Sequence, residues 1–298
     1  MVVSTLLHLL VAFNTLNAQL AEVVPAPSEQ HGANYVQPSA PTYTATTSIS
    51  RTLRNTHERI EDYYARKLAT LPFALRPGTD HREDSSPTAE SSRRCRSLVY
   101  RTLTQLPEEQ VDALKELTLF YTTDGRRGLG GEGSILLRCL NVTDEELSSV
   151  LMHEMGHIVD AGLLTGDPSW GHSGFFDFDN EVALDDPSLS FYKVSWLNDR
   201  TRKISATSLD FVSLYGMTDP FEDFAETYNY FRLHGPEFRT LATTNAALKS
   251  KYEFMRDVVF KGTEFDLNKY ISVSTSKRSY DTTVLPYSLR GFYRSSSR

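Results

Sequence analysis

Cysteine is almost missing from this chain: Cys95 and Cys139 are the only two in 298 residues, so covalent cross-linking is limited to a single bridge. Cationic charge is also in short supply, with 31 Lys and Arg against 38 Asp and Glu and a formal net charge of −7. That balance argues against a phosphate track or an anionic lipid surface as the main partner, because neither is attracted to a net-negative surface. Long apolar runs are lacking beyond the N-terminus, which leaves no segment able to cross a bilayer. No internal repeat is present.

What is there begins with "MVVSTLLHLLVAFNTLNAQLA", about a dozen apolar positions followed by small and polar ones. It reads as a secretory signal ending at Ala18, although no Lys or Arg precedes the apolar run; a buried N-terminal helix is the alternative. Export would place Cys95 and Cys139 in an oxidising compartment, where a bridge between them is expected, the alternative being two buried thiols. Asn141-Val142-Thr143 is then a glycosylation sequon. These readings point to a secreted protein.

The expected organisation is a signal at 1–18, a linker, an amphipathic helix and a candidate pro-segment over 19–94, a catalytic domain at 95–262, and a poorly ordered tail at 263–298. From Glu22 to Ser48 the chain is rich in Pro, Ser and Thr, as a linker is. Leu53, Ile60, Tyr64, Leu68 and Leu71 recur near helical spacing between Ile49 and Leu71. A polar stretch then closes on Arg93-Arg94, which is either a solvated loop or a maturation site. The tail is basic and Ser-rich, with a docked arm as the alternative to disorder.

Within 95–262 the spacing predicts a short helix at "PEEQVDALKEL", strands at "LTLFYTT" and "SILLRCL", and a Gly-rich loop "DGRRGLGGEG" between them. A helix starts near Asp144, behind the cap Thr143, and stops near Gly162. "WGHSGFFDFDN" and "NDRTRK" read as loops and "SFYKVSWL" as a strand. A helix opens at Asp219-Pro220 and ends at Gly235, and another covers Pro236 to Phe260.

The chemistry lies in "VLMHEMGHIVDAG". Residues four apart share a helix face, so His153 and His157 can converge on one ion. Glu154, rotated by about 100°, stands beside that ion, where a general base is needed. Gly156 lets another backbone approach closely. A catalytic zinc takes a third protein ligand. The metzincin pattern is excluded, because Asp160 and Leu163 stand where it requires Gly and His. His172, Asp210 and Glu222 are candidates. Glu222 fits best, being on the next helix with Glu226 one turn further along the same face, so one carboxylate can bind the ion while the other holds an imidazole.

"YGMTDPFEDFAETYNYF", with "HEMGH" upstream, resembles the catalytic domain of anthrax toxin lethal factor and the secreted Pro-Pro endopeptidases, a branch of the gluzincin metallopeptidases. It is similar also to a broad group of bacterial and fungal zinc metallopeptidases sharing "HEMGH" and "EDFAE". The resemblance spans about Leu98 to Leu233. It rests also on Tyr215-Gly216 lying seven residues before Glu222. It implies one Zn2+ held by His153, His157 and Glu222, Glu154 as general base, Tyr215 as hydrogen-bond donor to the oxyanion, and Glu226 as the residue orienting a histidine. About 65 residues separate His157 from Glu222, longer than in those relatives, so specificity is not transferred.

The expectation is a monomeric, secreted zinc metalloendopeptidase of α+β, zincin-like fold, mostly helical. Its "SILLR" edge strand would line the cleft and pair with a polypeptide substrate bound extended. Alternatives are an aspzincin-like peptidase with Asp210 as third ligand, and a catalytically inactive secreted zinc-binding interaction protein.

Overall fold

The computed structural model describes residues 45–78, 87–123, 125–267 and 288–294, with side chains from 53 onward. The expected signal at 1–18 and the linker of 22–48, save the first helical residues, lie outside the described residues. The chain divides into two units, Met1–Ser48 and Ile49–Arg298, and the second holds the packed elements.

Helix α1 (Ala45–Leu68) covers the expected amphipathic segment; among its described side chains Leu68 is buried while Leu53 and Ile60 are exposed. Strand β1 (Ala74–Pro77) follows, then α2 (Ala89–Leu103), α3 (Glu108–Ala113), β2 (Glu116–Phe120), β3 (Gly128–Gly131) and β4 (Ser134–Arg138). The four strands form one sheet in the order β1-β2-β4-β3, the first three parallel and β3 antiparallel to β4. Two expectations are corrected by this sheet. The Gly-rich stretch is not only loop, since it supplies β3. And "SILLR" is not an edge strand: β4 is hydrogen-bonded on both sides, and the edges of the sheet are β1 and β3. Alternating burial along β4, with Ile135 and Leu137 inside and Leu136 outside, shows a sheet covered on one face.

Helix α4 (Asp144–Gly162) has the expected limits, and the Glu146 N–H donates to Thr143 Oγ1 at 3.1 Å. It packs against β3, β4, α2, α3 and α6 (Pro220–Leu233), and is the buried centre of the fold. At the α4–α6 crossing a Cβ on Gly156 would stand 2.7 Å from Ala225 Cα, so glycine is what lets the two backbones meet. Asn229 Nδ2 ties the same interface by donating to the Ser149 carbonyl at 3.0 Å.

The segment between α4 and α6 differs most from expectation. "WGHSGFFDFDN" is no loop but largely a hairpin, β5 (His172–Asp177) and β6 (Asn180–Ala183). "SFYKVSWL" is a helix, α5 (Ser188–Ser195), followed by β7 (Trp196–Asn198), which pairs with β8 (Thr201–Arg202) inside the expected "NDRTRK" loop. Ser188, Phe191, Tyr192 and Ser195 are all buried, a three-and-four spacing that tertiary packing against α6 and the later helix at Ala246–Phe254 selects over β propensity. The expected helix over Pro236 to Phe260 is three pieces: α7 (Gly235–Ala242), α8 (Ala246–Phe254) capped by Asn245, and a π-helical turn Met255–Val259.

Arg93-Arg94 lies inside α2, not in a loop: Arg93 Nε donates to Asp62 at 2.5 Å and Arg94 Nε to Asp144 at 2.6 Å. Since β1 belongs to the same sheet as β4, no boundary between packed units falls at Arg94; a cut there would open α2 and detach a strand. In the tail, Phe265, Leu267 and Phe292 are buried, and α9 (Leu289–Phe292) brings the Phe292 ring to the Arg232 guanidinium, which also lies over Phe265, so the docked alternative describes 288–294. The described part of the chain is thus mixed helix and sheet, of the α+β kind, with no helix long and apolar enough to cross a membrane.

Candidate active site

Two helices build the site. On α4, buried Val150, Leu151 and Met155 anchor one face in the core, which turns His153 and His157 toward α6. On α6, the Asp219 carboxylate caps the first turn by accepting from Phe221 N–H at 3.0 Å and Glu222 N–H at 2.8 Å, so Glu222 starts the helix facing α4. Glu222 Oε2 then stands 3.1 Å from His153 Nε2 and 3.4 Å from His157 Nε2. Among the described residues, these three form the one group of His, Cys, Asp or Glu whose ligand atoms come together, all within 4.8 Å.

The donor set passes a test of fit for a metal. Ligands about 2.0–2.1 Å from a tetrahedral zinc stand roughly 3.3 Å apart, close to the two separations found. Glu222 Oε2 is buried between the two imidazole nitrogens but meets neither in hydrogen-bond geometry, which leaves an acceptor that a cation would satisfy. Behind the cluster, the fully buried Glu226 places Oε1 2.8 Å from His153 Nδ1, which holds the ring proton there and turns Nε2 inward.

Electrostatics favour positive charge at this point. Burial opposes the charged form of His153, but the adjacent carboxylates of Glu222 and Glu226 outweigh it and hold the imidazole well above its ordinary pKa. His157 is raised in the same way, by Glu222 against burial. Burial likewise opposes the charge on Glu222, yet the two imidazoles bring its carboxyl far below the usual range. Glu154, buried beside the cluster, is pushed up by desolvation, with His153 and His157 pulling the other way. A carboxyl poised upward beside such a cluster is suited to take and return a proton.

No protein-family model, curated protein or solved structure matches this chain.

Tyr215 is in the 3-10 turn Tyr215–Met217 ahead of α6, and its hydroxyl donates to Glu222 Oε1 at 2.8 Å. Burial and the nearby Glu222 charge drive its pKa up, so the phenol stays a neutral donor. The other candidate ligands lie elsewhere. The Asp210 carboxylate is engaged by Thr207 N–H at 2.7 Å and Asn245 Nδ2 at 2.7 Å, capping a 3-10 turn, and His172 is exposed on β5, where it pairs with Glu181 at 2.6 Å. Cys95 and Cys139 have their sulfurs at bonding distance, and Asn141 is exposed on the turn before α4.

Two sets of groups near the site are not foreseen from the sequence. The β5–β6 hairpin reaches the β3–β4 turn, where Asn180 Nδ2 donates to Glu132 at 2.8 Å, and it brings Asp177 near His157. No local pattern announces such a contact. The second is β3, whose Gly130 N–H faces the Glu154 carboxylate. Its signal was legible, since glycines at alternate positions of a strand mark a face approached closely.

Proposed function

We propose that this protein is a secreted zinc metalloendopeptidase of zincin-like fold, related to the gluzincins. The observation that carries the reading is the convergence of His153 Nε2, His157 Nε2 and the buried Glu222 Oε2 on one point beside Glu154. His153, His157 and Glu222 are the ligands, and Glu226 keeps His153 oriented. When bound, zinc supplies Lewis acidity toward the scissile carbonyl and lowers the pKa of water.

The residues do the remaining work. Glu154 accepts a proton as water oxygen adds to the carbonyl carbon, then delivers it to the amide nitrogen as the carbon–nitrogen bond breaks. The Tyr215 hydroxyl donates to the developing oxyanion. The open edge of β3, next to Glu154, is where an extended polypeptide adds as a further strand. A purely structural zinc site needs neither a base nor a phenol, which favours catalysis over an inactive binding protein. The cysteine pair and the exposed sequon support export.

Metal content and cleavage of a peptide library test this. Wild-type protein should hold one zinc, cleave, and stop on chelation; Glu154→Gln should hold zinc without cleaving, and His153→Ala should lose both. Cleavage by Glu154→Gln at the wild-type rate would refute the mechanism, and a wild-type protein without zinc affinity would refute the site.

A further inference from the structure

We infer that Gly128 and Gly130 are positioning residues for Glu154: two positions without side chains on the edge strand that form the seat of its carboxylate. The inference rests on the peptidase reading for its catalytic consequence, but its geometry stands apart from it. A Cβ on Gly128 would overlap Glu154 Oε1 and lie 2.7 Å from Val150 Cγ1. One on Gly130 would lie 2.9 Å from Glu154 Oε2 and 2.9 Å from the Glu154 carbonyl oxygen. Each carboxylate oxygen therefore rests against a different glycine. Neither glycine has positive φ, so backbone conformation does not require glycine there; the close approach does. Gly131 makes the contrast, since a Cβ there would meet nothing within 4 Å.

The ladder explains why these two positions serve. Arg138 N–H donates to the Arg127 carbonyl at 2.9 Å, which sets the phase of the β3–β4 pair. In an antiparallel pair hydrogen-bonded and non-bonded positions alternate, so Leu129 and Gly131 bond toward β4 while Gly128 and Gly130 turn their N–H and C=O groups to the open edge. The Gly130 N–H is accordingly the one that reaches Glu154. A peptide strand adding at this edge meets the base at the same backbone group that holds the base in place.

A double-mutant cycle on the full chain tests this without depending on peptidase activity. Gly128→Ala should lower the melting temperature by about 4 °C or more, and at least half of that loss should vanish when it is combined with Glu154→Ala, since only the Val150 contact then remains. Gly130→Ala, with its softer contacts, should show the same coupling at smaller amplitude, and Leu129→Ala, on the other face of the strand, none. Zinc stoichiometry should be unchanged in Gly130→Ala, while kcat falls about 10-fold or more and KM stays within about 3-fold. For both glycines, losses as large in the Glu154→Ala background as in the wild-type background would overturn the inference. Coupling in a wild-type protein that cleaves no peptide would leave the seat standing and overturn the peptidase reading instead.

Discussion

Glu226 acts through another residue: fully buried, it takes up His153 Nδ1 and leaves Nε2 for the centre of the cluster. Groups that orient a ligating histidine in this way are usually worth 10- to 100-fold in metal affinity. Glu226→Gln should therefore weaken zinc binding by about 10-fold or more, measured by competition with a chromophoric chelator, with far-UV circular dichroism unchanged. Unaltered affinity would remove Glu226 from the site. Asp160, one turn beyond His157, carries a pH dependence of its own. It is buried and accepts from Tyr192 Oη at 2.6 Å, and burial raises its pKa to about 7. The unfolded value is about 3.9, so the folded state is the better proton binder between the two. Its contribution to stability is complete below about pH 4 and is lost as pH rises through about 7. Asp160→Asn keeps an acceptor for Tyr192 and cannot ionise; relative to wild type it should gain up to about 4 kcal/mol between pH 4 and 8. Urea unfolding of both proteins at the two pH values reads this, and parallel curves would contradict it.

At the scale of elements, the site depends on how closely α6 lies against α4. Gly156 opposite Ala225 sets that distance, and Glu222 projects from the turn just before Ala225. Gly156→Val should push α6 outward, cost about 1–3 kcal/mol through overpacking, and weaken zinc affinity although no ligand is replaced. Wild-type zinc affinity in that variant would show that α6 can yield without moving Glu222. Local sequence also carries the most information at this scale. Helix α4, with its Thr143 cap, and the start of α6 at Asp219-Pro220 were legible because capping is decided by residues within one turn. Segment α5 was not, because its buried face is chosen by α6 and α8, which are remote in sequence. Likewise β4 reads as an edge or an interior strand with equal ease, since alternation reports one buried face and says nothing about how many neighbours a strand has.

Across the whole molecule, the Cys95–Cys139 pair ties α2 to the end of β4 over a separation of 44 residues, both sulfurs in the core. The chain-entropy model values such a closure at about 4 kcal/mol. The double substitution Cys95→Ser/Cys139→Ser should lose a comparable amount in equilibrium urea unfolding without reductant, and a loss under about 1 kcal/mol would mean the bridge contributes little. The unit also proved larger than the stretch carrying the motifs. Strand β1 completes the sheet ahead of it, and residues 288–294 return with Phe292 buried against Arg232. Composition offered no warning of either, because a polar, Ser-rich tail can still supply one buried Phe292.

By itself the sequence determined which residues share a helix face and the helices that bear them, with the third ligand open among His172, Asp210 and Glu222. An i, i+4 pair of histidines, a neighbouring glutamate and a capped helix with Glu222 and Glu226 one turn apart are relations within a single helix, set by 3.6 residues per turn. Only the tertiary structure decided that Glu222 Oε2 meets both imidazoles, that Asp210 is spent on a cap, and that the open edge beside Glu154 is the glycine strand β3 and not β4. Those outcomes depend on which elements pack together across tens of residues, and contact at that range is fixed by shape and burial in the assembled core.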